Sequence, residues 1–138
     1  MGENLQRIVT SSNDGTAKVW AAATGEDLLT LKGHHGWVRR AAFSPDDQRI
    51  VTGSVDHTAK VWEAAGGREL FTLKGHTAQI FSVAFSPNGQ RIITTSEDRT
   101  AKVWEAANGQ ELFTLKGHTA QVWTVAFSPD GQRIVTGS

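Results

Sequence analysis

Few side chains in this 138-residue sequence could do chemistry. There is no cysteine, which removes disulfides, thiolate metal ligands, thiol nucleophiles and iron–sulfur ligation together. Five histidines remain, at 34, 35, 57, 76 and 118, with hydroxyls and carboxylates around them. Imidazole can serve as the base of a hydroxyl nucleophile or as a metal ligand. Spacing is the first clue to which use is made. His34, His76 and His118 each close a Leu-Lys-Gly-His stretch, at 31–34, 73–76 and 115–118, so the offset is 42 residues each time. A catalytic centre has no reason to recur at a fixed period, whereas a structural group does.

The period runs through the whole sequence and governs the fold. Thr-Ala-Lys-Val-Trp occurs at 16–20, 58–62 and 100–104, and Phe-Ser-Pro begins at 43, 85 and 127. Residues 49–90 and 91–132 agree at 32 of 42 positions, and residues 7–48 and 49–90 at 25, so the array was copied recently or was built. Each unit predicts four short strands joined by tight turns. In the middle unit these are Val38–Phe43, Arg49–Ser54, Thr58–Glu63 and Leu70–Leu73, with turns at Ser-Pro-Asp-Asp, Val55-Asp56-His57 and Gly66-Gly67. That is an antiparallel meander, and no segment supports a helix. In the other copies the first turn reads Ser-Pro-Asn-Gly or Ser-Pro-Asp-Gly, where Pro presets φ and Gly accepts positive φ. Asp47 stands in that glycine's place, so local strain is expected there. Apolar residues on both faces of a strand, as at Ile50 and Val51, suit small sheets covered on both sides.

Composition narrows the function classes. Fourteen basic residues balance 14 acidic ones, with no block of like charge to attract phosphate backbones or anionic membranes, so no nucleic-acid partner is expected. No apolar run approaches the roughly 18 residues of a membrane span. Met1 to Arg7 lacks the apolar core of a signal peptide, which favours the cytoplasm. The apolar content is enough for a buried core, and residues 1–138 read as a single arc of repeats.

A Gly-His pair, then about two dozen residues, then a strand ending in Trp, at a period of 40 to 45, resembles the WD-repeat beta-propeller family. The resemblance covers essentially the whole chain. The second letter of the family's name departs, since Trp20 is followed by Ala21, Trp62 by Glu63 and Trp104 by Glu105. The fold class implied is all-β, with four-stranded antiparallel blades arranged around an axis. The resemblance also implies a buried hydrogen-bond network in each blade. His34, Thr52, Asp56 and Trp62 form one set, and His76, Thr94, Asp98 and Trp104 the next.

Hydroxyl, imidazole and carboxylate in a row invite a hydrolase reading. It is set aside because the hydroxyl is engaged by Trp, the group repeats, and no oxyanion hole is signalled. No catalytic residue and no enzyme activity are expected. His35 and His57 are the remaining histidines, on one face of one blade, and two ligands fall short of the three or four a metal needs. Neither a metal nor a cofactor is expected.

Strands can be counted against blades. The sequence supplies three strands of a first blade, two whole blades, and two strands of another. Closed propellers typically need four to eight blades, so one chain cannot close. The open blade faces, at ~800 Å² per partner, would bury on the order of 20 kcal/mol gross per junction. Association costs of ~4–15 kcal/mol leave a surplus. Closure by identical chains follows, with the protein its own partner. A homotrimer of nine blades is slightly preferred over a homodimer of six, because overpacking at the axis is the harder error to absorb. Thr10, Asp14 and Trp20 lack a histidine at the matching position, and His118 lacks its Asp and Trp, so His118 of one chain is expected to complete the network of the next. Residues 133–138 duplicate 7–12 but for one residue, and both compete to pair beside Val122 to Phe127.

Differences between copies concentrate in two stretches, the approach to the first strand and the turn before the third. They place His35, Trp37, Arg39, Gln79, Phe81, Gln121 and Trp123, with Asn13, Val55, His57, Glu97 and Arg99, on one rim of the toroid that the resemblance implies. Trp, Phe and Arg dominate binding energy at interfaces, so this is the candidate surface for other proteins. Phe81 and Trp123, lying on a strand, fit blade packing equally well. The expected function is a protein–protein interaction scaffold that self-assembles into a closed ring. The alternative is a self-assembling fragment, natural or engineered, with no ligand beyond itself.

Overall fold

The computed structural model describes residues 6–138, so the signal-peptide expectation at Met1 to Leu5 lies outside the described residues. Thirteen strands form four antiparallel sheets. β1 (Arg7–Ser11), β2 (Thr16–Ala21) and β3 (Asp27–Lys32) make the first. β4 (Val38–Phe43), β5 (Arg49–Ser54), β6 (Ala59–Glu63) and β7 (Glu69–Leu73) make the second. The third contains β8 (Ile80–Phe85), β9 (Arg91–Ser96), β10 (Ala101–Glu105) and β11 (Glu111–Leu115). β12 (Thr124–Phe127) and β13 (Ile134–Gly137) pair as the fourth. Thr58 lies just outside β6, and its N–H and hydroxyl both donate to Asp56 Oδ1, at 2.9 and 2.6 Å.

Each turn is built by its own side chains. Ser44 Oγ donates to Asp46 Oδ1 at 2.7 Å and accepts from Arg49 N–H at 3.0 Å, and Ser86 and Ser128 repeat this with Asn88 and Asp130. The position after that acidic or amide residue has positive φ: 73° at Gly89 and Gly131, and 61° at Asp47. The expected strain is therefore present. The turn before each third strand also demands positive φ, at Gly15, His57 and Arg99, a requirement visible in the sequence only through Gly15.

The core lies between the sheets. Ala17, Val19 and Leu31 of the first sheet pack on Val38, Ile50 and Trp62 of the second. Val51, Val61 and Leu73 on the second sheet's other face pack on Ile80, Ile92 and Trp104 of the third. Ile93 and Val103 then meet Val125, Phe127 and Ile134. The first strands β4, β8 and β12 lie beside one another, so the sheets fan out from a common inner edge. Arg7 Nη1 donates to Ala64 O at 2.9 Å and Arg49 Nη1 to Ala106 O at 2.6 Å, tying each sheet to the hairpin of the next.

Candidate functional site

The histidine sets are complete in the two whole sheets. Trp62 Nε1–H can only donate, and it reaches Thr52 Oγ1 at 2.9 Å. The Thr52 hydrogen is thereby directed to His34 Nε2 at 2.7 Å, and His34 Nδ1–H donates to Asp56 Oδ2 at 2.9 Å. His76, Thr94, Asp98 and Trp104 repeat the chain at 2.7, 2.7 and 2.9 Å. Burial lowers the pKa of His34 and His76 against the pull of Asp56 and Asp98, so the neutral imidazole is favoured. Burial of Asp56 acts the other way but is outweighed by hydrogen bonds from Thr58, His35 N–H and His34, holding its carboxyl at about 2. Thr52 and Thr94 are fully buried, and each hydroxyl already accepts from an indole and donates to an imidazole. Full burial leaves a substrate no approach to the hydroxyl's remaining lone pair, so the row is built to brace the sheet.

The open-ended sets look different. Trp20 Nε1–H donates to Thr10 at 2.8 Å and Thr16 donates to Asp14 at 2.6 Å, but Thr10 and Asp14 are exposed. At the far end His118 Nε2 meets Thr136 Oγ1 of β13 at 2.7 Å. Within one chain, then, the C-terminal copy of the duplicated strand lies beside β12.

The variable rim residues are gathered by irregularities in the inner strands. The β4–β5 register skips from Val38 to Arg40, and β8–β9 from Ile80 to Ser82. Arg39 and Phe81 are therefore unpaired bulge residues, and a bulge re-aims the side chain it carries. Phe81 stacks on Trp123 at 4.1 Å and 18°. The Arg39 guanidinium lies 5.5 Å from the Trp37 ring and 5.8 Å from that of Phe81, within cation–π range. It also donates to Gln79 Oε1 at 3.0 Å, while Gln121 donates to Glu97 at 3.0 Å. Trp37, Arg39, Val55, His57, Gln79 and Glu97 line one open depression of about 410 Å³. Trp37 is 46% and Trp123 51% exposed, whereas Phe81 is buried between its neighbours. Phe81 is thus packing, and Trp37 and Trp123 present surface.

Asn13, His35 and Arg99 are exposed but do not line the depression. His35 contributes its backbone N–H to Asp56 at 2.9 Å. A larger hollow of about 460 Å³ around Ser44, Arg49 and Ala106 opens at the opposite ends of the strands, and a smaller one around Arg7 and Phe43 repeats it. It belongs to the repeat, whereas the rim depression is made by residues that differ between copies. Sequence reasoning missed the Arg7 and Arg49 ties. Their signal was arginine at 7, 49, 91 and 133, once per period.

The family whose model matches this sequence is described as WD domain, G-beta repeat, and the matches run over residues 25–63, 67–105 and 109–138. The chain belongs to that family. Each match opens at or next to a hairpin glycine and, in the first two, ends with the third strand of the next sheet. Repeats of this kind mediate protein–protein interaction. The chain is similar to ribosome assembly protein 4 of Chaetomium thermophilum, 48% identical over 40 residues, which is 29% of this chain and 8% of that protein. It is also similar to nuclear distribution protein PAC1 of Mycosarcoma maydis, 46% identical over 41 residues, 30% of this chain and 9% of that protein. A Lissencephaly-1 homolog of Dictyostelium discoideum is 47% identical over 38 residues, 28% and 9% of the two chains. The chain spans about a tenth of the length of these curated relatives. Among the described residues no helix is long and apolar enough to cross a membrane.

Proposed function

We propose that this chain is a non-enzymatic protein–protein interaction scaffold that binds through the variable rim, and that copies of it close into a propeller ring. The observation carrying the binding reading is that copy-specific residues, and not repeated ones, line the open depression beside an exposed Trp37. An aromatic wall, a stacked guanidinium and a carboxylate at Glu97 suit a polypeptide with both apolar and polar groups. The names of the relatives, ribosome assembly and nuclear distribution among them, are of the same interaction type. The test is affinity capture followed by rebinding of the identified, purified partner. The Trp37→Ala, Arg39→Ala double variant is expected to weaken that rebinding at least tenfold, and equal affinity overturns the rim assignment.

The ring reading has its own support. Ile8 is 50% exposed, Phe113 43% and Val135 67%, so apolar groups stand uncovered on the first, third and last sheets. These positions also support a second reading, in which the ring has no ligand beyond itself. Nine blades from three chains remain preferred over six from two. Native mass of the purified chain decides between them, and a monomer at micromolar concentration overturns the ring.

A further inference from the structure

The contacts that join neighbouring sheets are the same at the first-to-second and second-to-third junctions, and the first and third sheets carry their unmatched halves. An arginine opening a second strand donates to the following sheet's hairpin carbonyl, Arg7 to Ala64 and Arg49 to Ala106. The following hairpin's glycine lies on the preceding sheet. A Cβ on Gly67 would stand 3.3 Å from Leu31 Cδ2, and one on Gly109 2.9 Å from Phe71 Cδ2. The glycine before each network histidine lies on a tryptophan, with Trp62 Cη2 and Trp104 Cη2 each 3.2 Å from a Cβ on Gly33 and Gly75.

At the third sheet, beside the two-stranded last one, the donor halves stand open. The Arg91 guanidinium makes no hydrogen bond among the described residues, Phe113 is exposed, and Gly117 has nothing within 4 Å of a Cβ. At the first sheet the complementary halves stand open: Ala22 is exposed, Gly25 has nothing within 4 Å, and among the described residues no glycine lies against Trp20. Carrying the 42-residue period forward pairs them without remainder, Arg91 with the Ala22 carbonyl, Phe113 with Gly25, Gly117 with Trp20, and His118 with Thr10 and Asp14.

We infer that the last sheet is completed by the first sheet of a second copy of this chain, and that β1 of that copy displaces the first copy's own β13. The inference rests on the ring reading above and names its junction. The two strands compete for one place. β13 sets Val125 opposite Thr136, Ala126 opposite Val135 and Phe127 opposite Ile134, and β1 in the same register sets Thr10, Val9 and Ile8 there. Backbone pairing is therefore equal for both. The difference lies in what each strand brings. β13 brings nothing further, and leaves a two-stranded sheet with Val135 67% exposed. β1 brings β2 and β3, makes a four-stranded sheet, returns an Asp and a Trp to His118, and covers Ile8 and Phe113. Exchange leaves twelve of the thirteen strands in each copy's share, which is three whole blades. It also continues the inner-edge stack, because the residue one period beyond Trp123 is Arg39 of the second copy.

Disulfide trapping tests this in a chain that has no cysteine of its own. In one chain Val9 and Ala126 lie in different sheets, whereas exchange sets them opposite each other across two copies. Mixing a Val9→Cys chain with an Ala126→Cys chain under mild oxidation is expected to give a disulfide-linked pair and a loss of the single-chain band. A chain carrying Ala126→Cys with Val135→Cys should form little internal bond when assembled. Multimers by native mass whose 126–135 bond forms fully overturn the exchange and leave the ring reading standing. A monomeric wild-type chain overturns both. Deleting Arg133–Ser138 provides a check that needs no cysteine: assembly persists if β13 is displaced, and its loss overturns the exchange.

Discussion

Thr52 and Thr94 hold the two complete sheets at single atoms. Each hydroxyl oxygen takes an indole hydrogen and gives its own to an imidazole, in a fully buried place. Thr52→Val keeps the shape but orphans Trp62 Nε1–H and His34 Nε2, at ~1–3 kcal/mol for each buried group. A loss of about 2–6 kcal/mol is expected in urea titration. Thr136→Val, whose oxygen serves only His118 at the open end, should cost under ~1 kcal/mol in a monomeric preparation. The same network sets the acid response. His34 and His76 have lowered pKa values because burial disfavours the cation, while an unfolded histidine takes a proton near pH ~6.5. Their contribution is whole above that value and is lost as pH falls through and below it. Asp56, held at about 2 against an ordinary 3.8, acts in the same sense lower down, with stability present above 3.8 and lost as pH falls towards 2. Melting temperature should be flat above pH ~7, fall as pH drops below ~6.5, and fall again below ~4. A rise on acidification from 7 to 5 would contradict the assigned proton positions.

Strands and turns show where sequence reading reaches and where it stops. Strand positions were legible because alternation and turn residues repeat every 42 positions, and the four-residue networks because each member differs in type and sits at a fixed offset. The bulges at Arg39 and Phe81 were not, since a bulge is a property of the pairing with β5 and β9 and leaves no mark on the bulged strand's own sequence. The ties from Arg7 and Arg49 end on backbone carbonyls, which every residue possesses, so the acceptor gave no signal. Positive φ at His57 and Arg99 was hidden behind side chains that tolerate it poorly. Asp47 was legible because two other copies carry glycine in its place. Its φ of 61° makes Asp47→Gly a turn substitution expected to stabilise, by about 0.5–1 kcal/mol, as relief of left-handed strain outweighs the glycine's extra chain entropy. A higher urea midpoint with an unchanged slope is the expected result.

At the scale of the whole molecule, the proposed ring would join copies by the forces that already join sheets. Internal junctions are lined by Val, Leu, Ile and Trp with one arginine-to-carbonyl bond each, and net charge is zero. Long-range charge therefore neither drives nor opposes assembly, and added salt, which screens charges beyond ~10 Å at 0.1 M, has little to act on. Apolar burial is, if anything, strengthened by excluded salts. In the proposed ring the number of copies would be set at the inner edge, where the first strands meet. Arg39, Phe81 and Trp123 stand there in file, and Arg40 beside them is exposed. A ring of two chains turns more sharply per blade than a ring of three and drives these bulky side chains together, at a typical overpacking cost of ~1–3 kcal/mol per site. Three chains open the edge and let the arginines stay solvated. Native mass spectrometry should therefore give three times the 14.9 kDa chain, and sedimentation the same species in 0.1 M and 1 M sodium chloride. A six-bladed dimer would show that the inner edge repacks, and dissociation in high salt that charge, not apolar surface, holds the copies together.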